Sequence, residues 1–236
     1  MKEKNKYHIW DIINLTVFYS VFICFLVSVI LGIKDFIQGS LPWVPMLQRI
    51  LSLALMCLPF LIKTIFKISF SKVVTIVYYL FMFISGFLGI ALSFYGKIEW
   101  WDMLAHFLMG ACVAVFSIYI LNFTIYRKDR SKHNLFFTAV FMISFSLAIG
   151  AMWEIWEFLV DAMLGTNCQR YMVGSEMLVG QTALLDTMMD IIIDLAGAVV
   201  GVIFVFIAQK IDKNFLKSFY IKKLKRAETE VEYIEE

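Results

Sequence analysis

Six runs of apolar residues, most of them about as long as a bilayer is thick, decide most of what this chain can fold into. They fall at roughly 12–33, 46–62, 73–95, 101–121, 135–160 and 185–208. A helix crossing the hydrocarbon core needs about 20 mostly apolar residues; each run is long enough to span, and the second is the shortest. Lipid offers no hydrogen bonds to the backbone, so only helices and closed barrels can span. None of the runs alternates as a barrel strand does. The sequence therefore predicts an all-α, polytopic membrane protein with six transmembrane helices joined by short loops. Composition excludes the competing classes. The chain is 61% apolar and 17% charged, with a mean hydropathy of +0.80. That is too apolar for a soluble globule and too poor in charge for a disordered chain.

Lysine and arginine placement sets the expected orientation, since cytoplasmic loops carry the excess. All but four of the 21 basic residues lie in the N-terminal arm, the second-to-third loop, the fourth-to-fifth loop or the C-terminal tail. The four exceptions, Lys34, Arg49, Lys97 and Arg170, lie on or near the alternate loops. Both termini are thus expected in the cytoplasm of a bacterial cell, with the chain in the cytoplasmic membrane. Trp43, Trp100 and Trp101 would mark the outer interface and Trp10 the inner one. The first run is longer than the 7–15 residues of a signal-peptide core and no small-x-small cleavage site follows it, so it is read as a retained helix. The expected domain organisation is one six-helix domain over 1–210 and a charged cytoplasmic tail over 211–236.

That tail is basic from Lys210 to Arg226 and then acidic to its end. Its basic part suits an anionic lipid surface, or simply obeys the positive-inside rule. No groove of bases and aromatics supports nucleic-acid binding. Cys24, Cys57 and Cys112 fall within helices and Cys168 in an outer loop, which excludes a disulfide framework.

The polar residues gather in the last three spans. Asp102 and His106 open the fourth span four residues apart, on one face. Glu154, Glu157 and Asp161 end the fifth, at spacings of three and four. Asp186, Asp190 and Asp194 open the sixth and fan across about 80° of its surface. With both termini inside, all seven carboxylates lie in the outer half of the membrane. Facing lipid, each would cost a few kcal/mol near the bilayer centre, so they are expected to turn inward. Arg49, Arg170 and His106 cannot balance seven acids; shared protons or a divalent metal must make up the difference.

Three functions compete. A metal-dependent enzyme acting on an envelope lipid would use His106, Glu157, Asp190 and Asp194 as ligands of Mg²⁺, Mn²⁺, Zn²⁺ or Fe. Asp102 or Glu154 would be the general base. Arg49 or Arg170 would hold an anionic lipid or a lipid-linked envelope precursor. Asp161 and Asp186 would orient the others or line the rim. A proton- or cation-coupled transporter is the alternative, since intramembrane acids mark ion pathways. Against it, the inner half of the sixth span, Leu195 to Ala208, holds no polar side chain. A non-enzymatic envelope accessory protein is the third reading. Gly197 and Gly201 read as a helix-packing pair. Nothing here sets the oligomeric state.

The segments WWDMLAHF, WEIWEFLVD and DTMMDIIIDLAGAVVG carry a family likeness. Over roughly residues 10–210 the chain resembles the bacterial YjdF-like inner-membrane proteins, a likeness that implies a multi-pass fold and supplies no reaction. More distantly it is similar to VanZ-like proteins, which are linked to glycopeptide tolerance. Their Asp and His four apart match Asp102 and His106, and their Glu-x-x-Gln matches Glu154 and Glu157. Their loop Arg has Arg170 as its candidate, and their closing Asp-x-x-x-Asn-x-x-Gly-x-x-x-Gly matches Asp190, Asp194, Gly197 and Gly201. Here Glu157 stands for Gln, Asp194 for Asn and Met103 for a Lys, each making the site more negative and favouring a cation or protons.

Overall fold

Each long apolar run is helical. The computed structural model describes residues 2–125, 134–220, 222–224 and 231–233, with side chains over 9–125 and 134–220. Among the described residues, five helices are long and apolar enough to cross a membrane, Ile9–Ile37, Lys72–Ala91, Trp101–Thr124, Leu135–Leu164 and Gln181–Ile211, or six if a bent pair counts as one span. The basic loop residues Arg127 to Lys132, the tail residues Lys225 and Arg226, and the acids Glu228, Glu230, Glu235 and Glu236 lie outside the described residues.

The second run departs from the single helix expected. It forms α2 (Trp43–Met56) and α3 (Leu58–Phe66), which meet at Cys57 with a bend of 48°. The cause is Pro59, at the start of α3. Proline has no N–H for the carbonyl four residues back, and its ring crowds that carbonyl. Here that carbonyl belongs to Leu55, and the Tyr78 hydroxyl donates to it at 2.6 Å. A freed carbonyl in a membrane segment needs such a partner.

Two compact units make up the chain. The first comprises residues 1–101 with 218–236. Its helices α1 (Lys2–Ile37), α2 and α4 (Lys72–Met82) enclose Val21, Phe25, Met56, Tyr79 and Met82. α4 widens into a π-helical stretch over Phe83–Ala91, where the Leu92 N–H reaches the Phe87 carbonyl at 3.1 Å. Gly86 there faces the Phe25 ring, so closely that a Cβ would strike it. Strand β1 (Ile68–Ser69) pairs antiparallel with β4 (Lys222–Leu224), and β4 with β5 (Val231–Tyr233). A four-residue helix, α5 (Phe94–Lys97), precedes the second unit.

The second unit spans residues 102–217. It contains α6 (Trp101–Thr124) from Asp102 onward, α7 (Leu135–Leu164), the hairpin β2 (Met172–Val173) and β3 (Glu176–Met177), and α8 (Gln181–Ile211). Asn134 caps α7 by accepting from the Phe137 N–H at 3.1 Å. Gly165 ends it in the left-handed conformation, φ 64°, which a residue without Cβ adopts freely.

Glycines bring α6, α7 and α8 together. A Cβ on Gly110 would overlap the Asp194 carbonyl, and one on Gly197 the Phe107 carbonyl. One on Gly150 would overlap the Asp194 carboxylate. The Ser146 hydroxyl bonds the Gly110 carbonyl at 2.9 Å, tying α7 to α6. Small residues let membrane helices approach at backbone distance, where dispersion and hydrogen bonds replace the hydrophobic effect as the driving force.

Candidate metal centre

The close approach places acids from three helices around one imidazole. His106, on α6, is 3% exposed; Glu154 on α7 is 4%, and Asp190 and Asp194 on α8 are 3% and 1%. The Nδ1 of His106 lies 3.4 Å from Asp194 Oδ2. Its Nε2 faces Asp102 Oδ1 at 3.9 Å, Glu154 Oε1 at 3.9 Å and Asp190 Oδ2 at 3.8 Å. With the proton on Nδ1, His106 donates to Asp194 and turns a lone pair towards the other acids. A carboxylate on the far nitrogen is how metal-binding histidines are usually held.

Several of these oxygens accept no hydrogen bond. Among the described residues, Glu154 Oε1, Asp186 Oδ2, Asp190 Oδ2 and Asp194 Oδ1 are buried without a hydrogen bond. Glu154, Asp186 and Asp194 each have the other oxygen engaged. Gln169 donates to Glu154 Oε2 at 3.5 Å, Arg170 to Asp186 Oδ1 at 3.4 Å, and His106 faces Asp194 Oδ2. A buried polar atom without a partner costs about 1–3 kcal/mol, and more when charged. Two sets of donor atoms lie mutually within 4.8 Å: His106 with Glu154 and Asp190, and Asp102 with Asp186 and Asp190.

The loop after α7 carries the remaining contacts. The Asp161 carboxylate accepts from the Thr166 hydroxyl at 2.5 Å, the Cys168 N–H at 2.7 Å and the Gln169 N–H at 2.9 Å. That folds the chain back over the cluster. Gln169 then reaches the Glu154 carbonyl at 3.3 Å and Thr187 Oγ1 at 2.8 Å. Arg170, with φ 46°, directs its guanidinium to Asp102 Oδ2 at 3.1 Å and Asp186 Oδ1 at 3.4 Å. Burial pushes the neighbouring Cys168 thiol up to about 11.

The family profile described as "Predicted membrane protein (DUF2238)" matches residues 15–211. The chain belongs to DUF2238. The three segments that carry the YjdF-like likeness fall within the matched range. An uncharacterized protein of Thermotoga maritima is 31% identical over 119 residues, 49% of this chain and 53% of that one. The chain thus spans about half the length of that relative. No solved structure matches it.

In this DUF2238 protein the residues singled out from the sequence take distinct places. Asp102, His106, Glu154, Asp186, Asp190 and Asp194 come together, with Arg170 above them. Glu157 lies outside both donor sets; its carboxylate accepts from Trp153 Nε1 at 2.9 Å. Asp194 stands on the opposite ring nitrogen from the His106–Glu154–Asp190 set. Asp161 holds the loop. Arg49 belongs to the first unit, where its guanidinium donates to the carbonyls of Ser28 at 3.3 Å and Ala91 at 3.4 Å. The spacing argument missed Gln169 and Thr187, because a loop amide and a helical hydroxyl carry no periodic signal. It also missed Gly110 and Gly150. These two were detectable, since each lies four residues from His106 or Glu154 on the same helix face.

Proposed function

We propose that the protein is a metal-dependent membrane enzyme whose divalent ion is held by His106, Glu154 and Asp190, acting on an anionic envelope lipid. The observation that carries this reading is the pair of buried oxygens without a hydrogen bond, Glu154 Oε1 and Asp190 Oδ2, which stand 3.9 and 3.8 Å from Nε2 of His106. A cation there would satisfy all three groups at once. One nitrogen and several carboxylate oxygens suit Mn²⁺, Fe²⁺, Zn²⁺ or Mg²⁺. When bound, such an ion lowers the pKa of a coordinated water and polarises a phosphoryl or carbonyl oxygen. Asp194 fixes the ring of His106. Asp102, paired with Arg170 at 3.1 Å, would accept a proton, and Arg170, once released from Asp102 and Asp186, would offer a planar donor pair to a phosphate or carboxylate head group. Under the positive-inside reading the cluster opens towards the outer leaflet, where envelope precursors are presented.

Transport is less well supported. The buried polar side chains deeper in the second unit are bonded to main-chain carbonyls. Ser117 bonds Ala114, Thr138 bonds Asn134, Ser146 bonds Gly110, and Asn122 bonds Leu216. A proton or ion path through the unit would call for polar groups beyond the cluster that are not committed in this way.

The test is elemental analysis of the full chain purified in detergent, beside an Asp190→Asn variant. At least one equivalent of a transition metal or Mg²⁺ is expected in the wild type and a clear loss in the folded variant. No metal in either sample, even after incubation with Mg²⁺, Mn²⁺ and Zn²⁺, would overturn the reading and bring proton-coupled transport forward.

A further inference from the structure

We infer that the second unit contains a second divalent-cation position, bounded by Asp102, Asp186 and Asp190, at which the Arg170 guanidinium serves as a tethered stand-in for the ion. The inference rests on the metal reading of the His106 site and extends it. Three observations meet here. The three carboxylates each offer an oxygen within 4.8 Å of the others. Asp186 and Asp190 each carry an oxygen, Oδ2, that is buried without a hydrogen bond among the described residues; Asp190 is 3% exposed, and its Oδ2 lies between this set and His106 Nε2, 3.8 Å from the latter. Arg170 covers the set with one contact each to Asp102 and Asp186 and leaves those two oxygens unsatisfied. A guanidinium matched to its site would pair both oxygens of one carboxylate. Here it bridges two acids by single contacts, from a backbone position with φ 46° that a residue bearing a Cβ rarely adopts.

Charge points the same way. A ligating His106 is neutral, and Arg170 pairs with Asp102 and Asp186. The acids around the two donor sets outnumber that single positive charge, and the nearby Glu157 adds to them. Each divalent ion bound there reduces the excess. Because Asp190 belongs to both donor sets, the two ions would share a carboxylate. Paired cations of this kind clamp the oxygens of a phosphate ester. Displaced from Asp102 and Asp186, Arg170 would become available to the substrate anion. The ligand class for the completed site is therefore a phosphate ester presented at the membrane surface.

The experiment is calorimetric titration of the metal-stripped full chain in detergent with Mn²⁺ alone, with elemental analysis of the saturated samples. The wild type should bind two equivalents, the second more weakly because it competes with the guanidinium. Arg170→Gln should leave the tight step unchanged and tighten the second by about tenfold, roughly what one charge-assisted hydrogen bond is worth. Asp186→Asn, which keeps the shape and removes a ligand oxygen, should retain the first equivalent and lose the second. His106→Gln should weaken the tight step. One equivalent in wild type, Arg170→Gln and Asp186→Asn alike would overturn the second position and leave the first intact. So would a second step weakened by Arg170→Gln. Failure of the wild type to bind any Mn²⁺ would instead remove the His106 site itself.

Discussion

His106 has a different task at each ring nitrogen, and one substitution separates them. Asp194→Asn keeps the shape but weakens the hold on Nδ1. The ring loses its fixed tautomer, and the lone pair on Nε2 is no longer guaranteed. Metal affinity should fall by about 10–100-fold, the usual effect of losing such an orienting partner, while thermal unfolding stays near that of wild type. Titration with Mn²⁺ against an unfolding curve measures both. Cys168 makes a second residue-scale prediction. Its thiol is raised to about 11, chiefly by burial. A raised thiol is protonated below that value and becomes nucleophilic only as pH climbs towards it. Iodoacetamide labelling at pH 8 should be about tenfold slower than for a free cysteine, once the greater intrinsic reactivity of a more basic thiolate is counted. The rate should still be rising above pH 9, where an ordinary thiol levels off. A rate that plateaus near pH 9 would contradict it. At this scale the sequence was legible in part. Helical spacing alone grouped Asp102 with His106 and aligned Asp190 with Asp194. It could not tell a ligand from an orienting group, because that depends on which oxygen meets which ring nitrogen. Nor could it show that Glu157 is occupied by Trp153, since two side chains one turn apart on a helix can meet or diverge by rotamer alone.

Each helix of the second unit carries a glycine one turn from its chemical residue: Gly110 after His106, Gly150 before Glu154, Gly197 after Asp194. The acids converge because these glycines let the helices close. Gly150→Ala is the direct test. In an unpacked helix the change would favour the helix by about 1 kcal/mol. Here the new methyl would meet the Asp194 carboxylate, and overpacking costs about 1–3 kcal/mol. The melting temperature in detergent should drop and metal content with it. Gly96→Ala, at a position with open space around it, should change neither. Equal stability of Gly150→Ala and wild type would mean that the helices are not pinned at this point. Of the packing glycines only Gly197 and Gly201 stood out in the sequence, through their regular spacing on one helix. Gly110 and Gly150 sit alone on theirs, marked only by their four-residue spacing from His106 and Glu154, and what each admits is seen once the neighbouring helix is in place.

For the whole molecule, distribution of basic residues predicts that both termini share the cytoplasmic side. Reporter fusions check this. A fluorescent protein joined to the C-terminus should glow, and alkaline phosphatase inserted in the β2–β3 hairpin should be active, as it is only outside the cytoplasm. An inactive phosphatase there would reverse the proposed orientation of the cluster. The predominantly helical, membrane-spanning class was readable from hydropathy alone, because lipid leaves the backbone so few choices; the short strands outside the spans were not. Positions of helix ends were less so. α8 begins at Gln181 and α7 ends at Leu164, each four residues beyond its apolar run, since polar first and last turns cost little at an interface.

The bend at Cys57 raises a question of parity. Laid end to end with a 48° turn, 14 and 9 helical residues reach about 32 Å at 1.5 Å per residue, enough for a hydrocarbon core of about 30 Å. If α2 and α3 cross together, the crossings are even and the acids of α6 start on the side opposite to the termini. If the pair dips in and returns, the crossings become odd. Every later helix then runs the other way, and the same six side chains open to the cytoplasm. The geometry around one proline and one tyrosine hydroxyl, far along the chain from the cluster, thus bears on which side of the membrane the acids face.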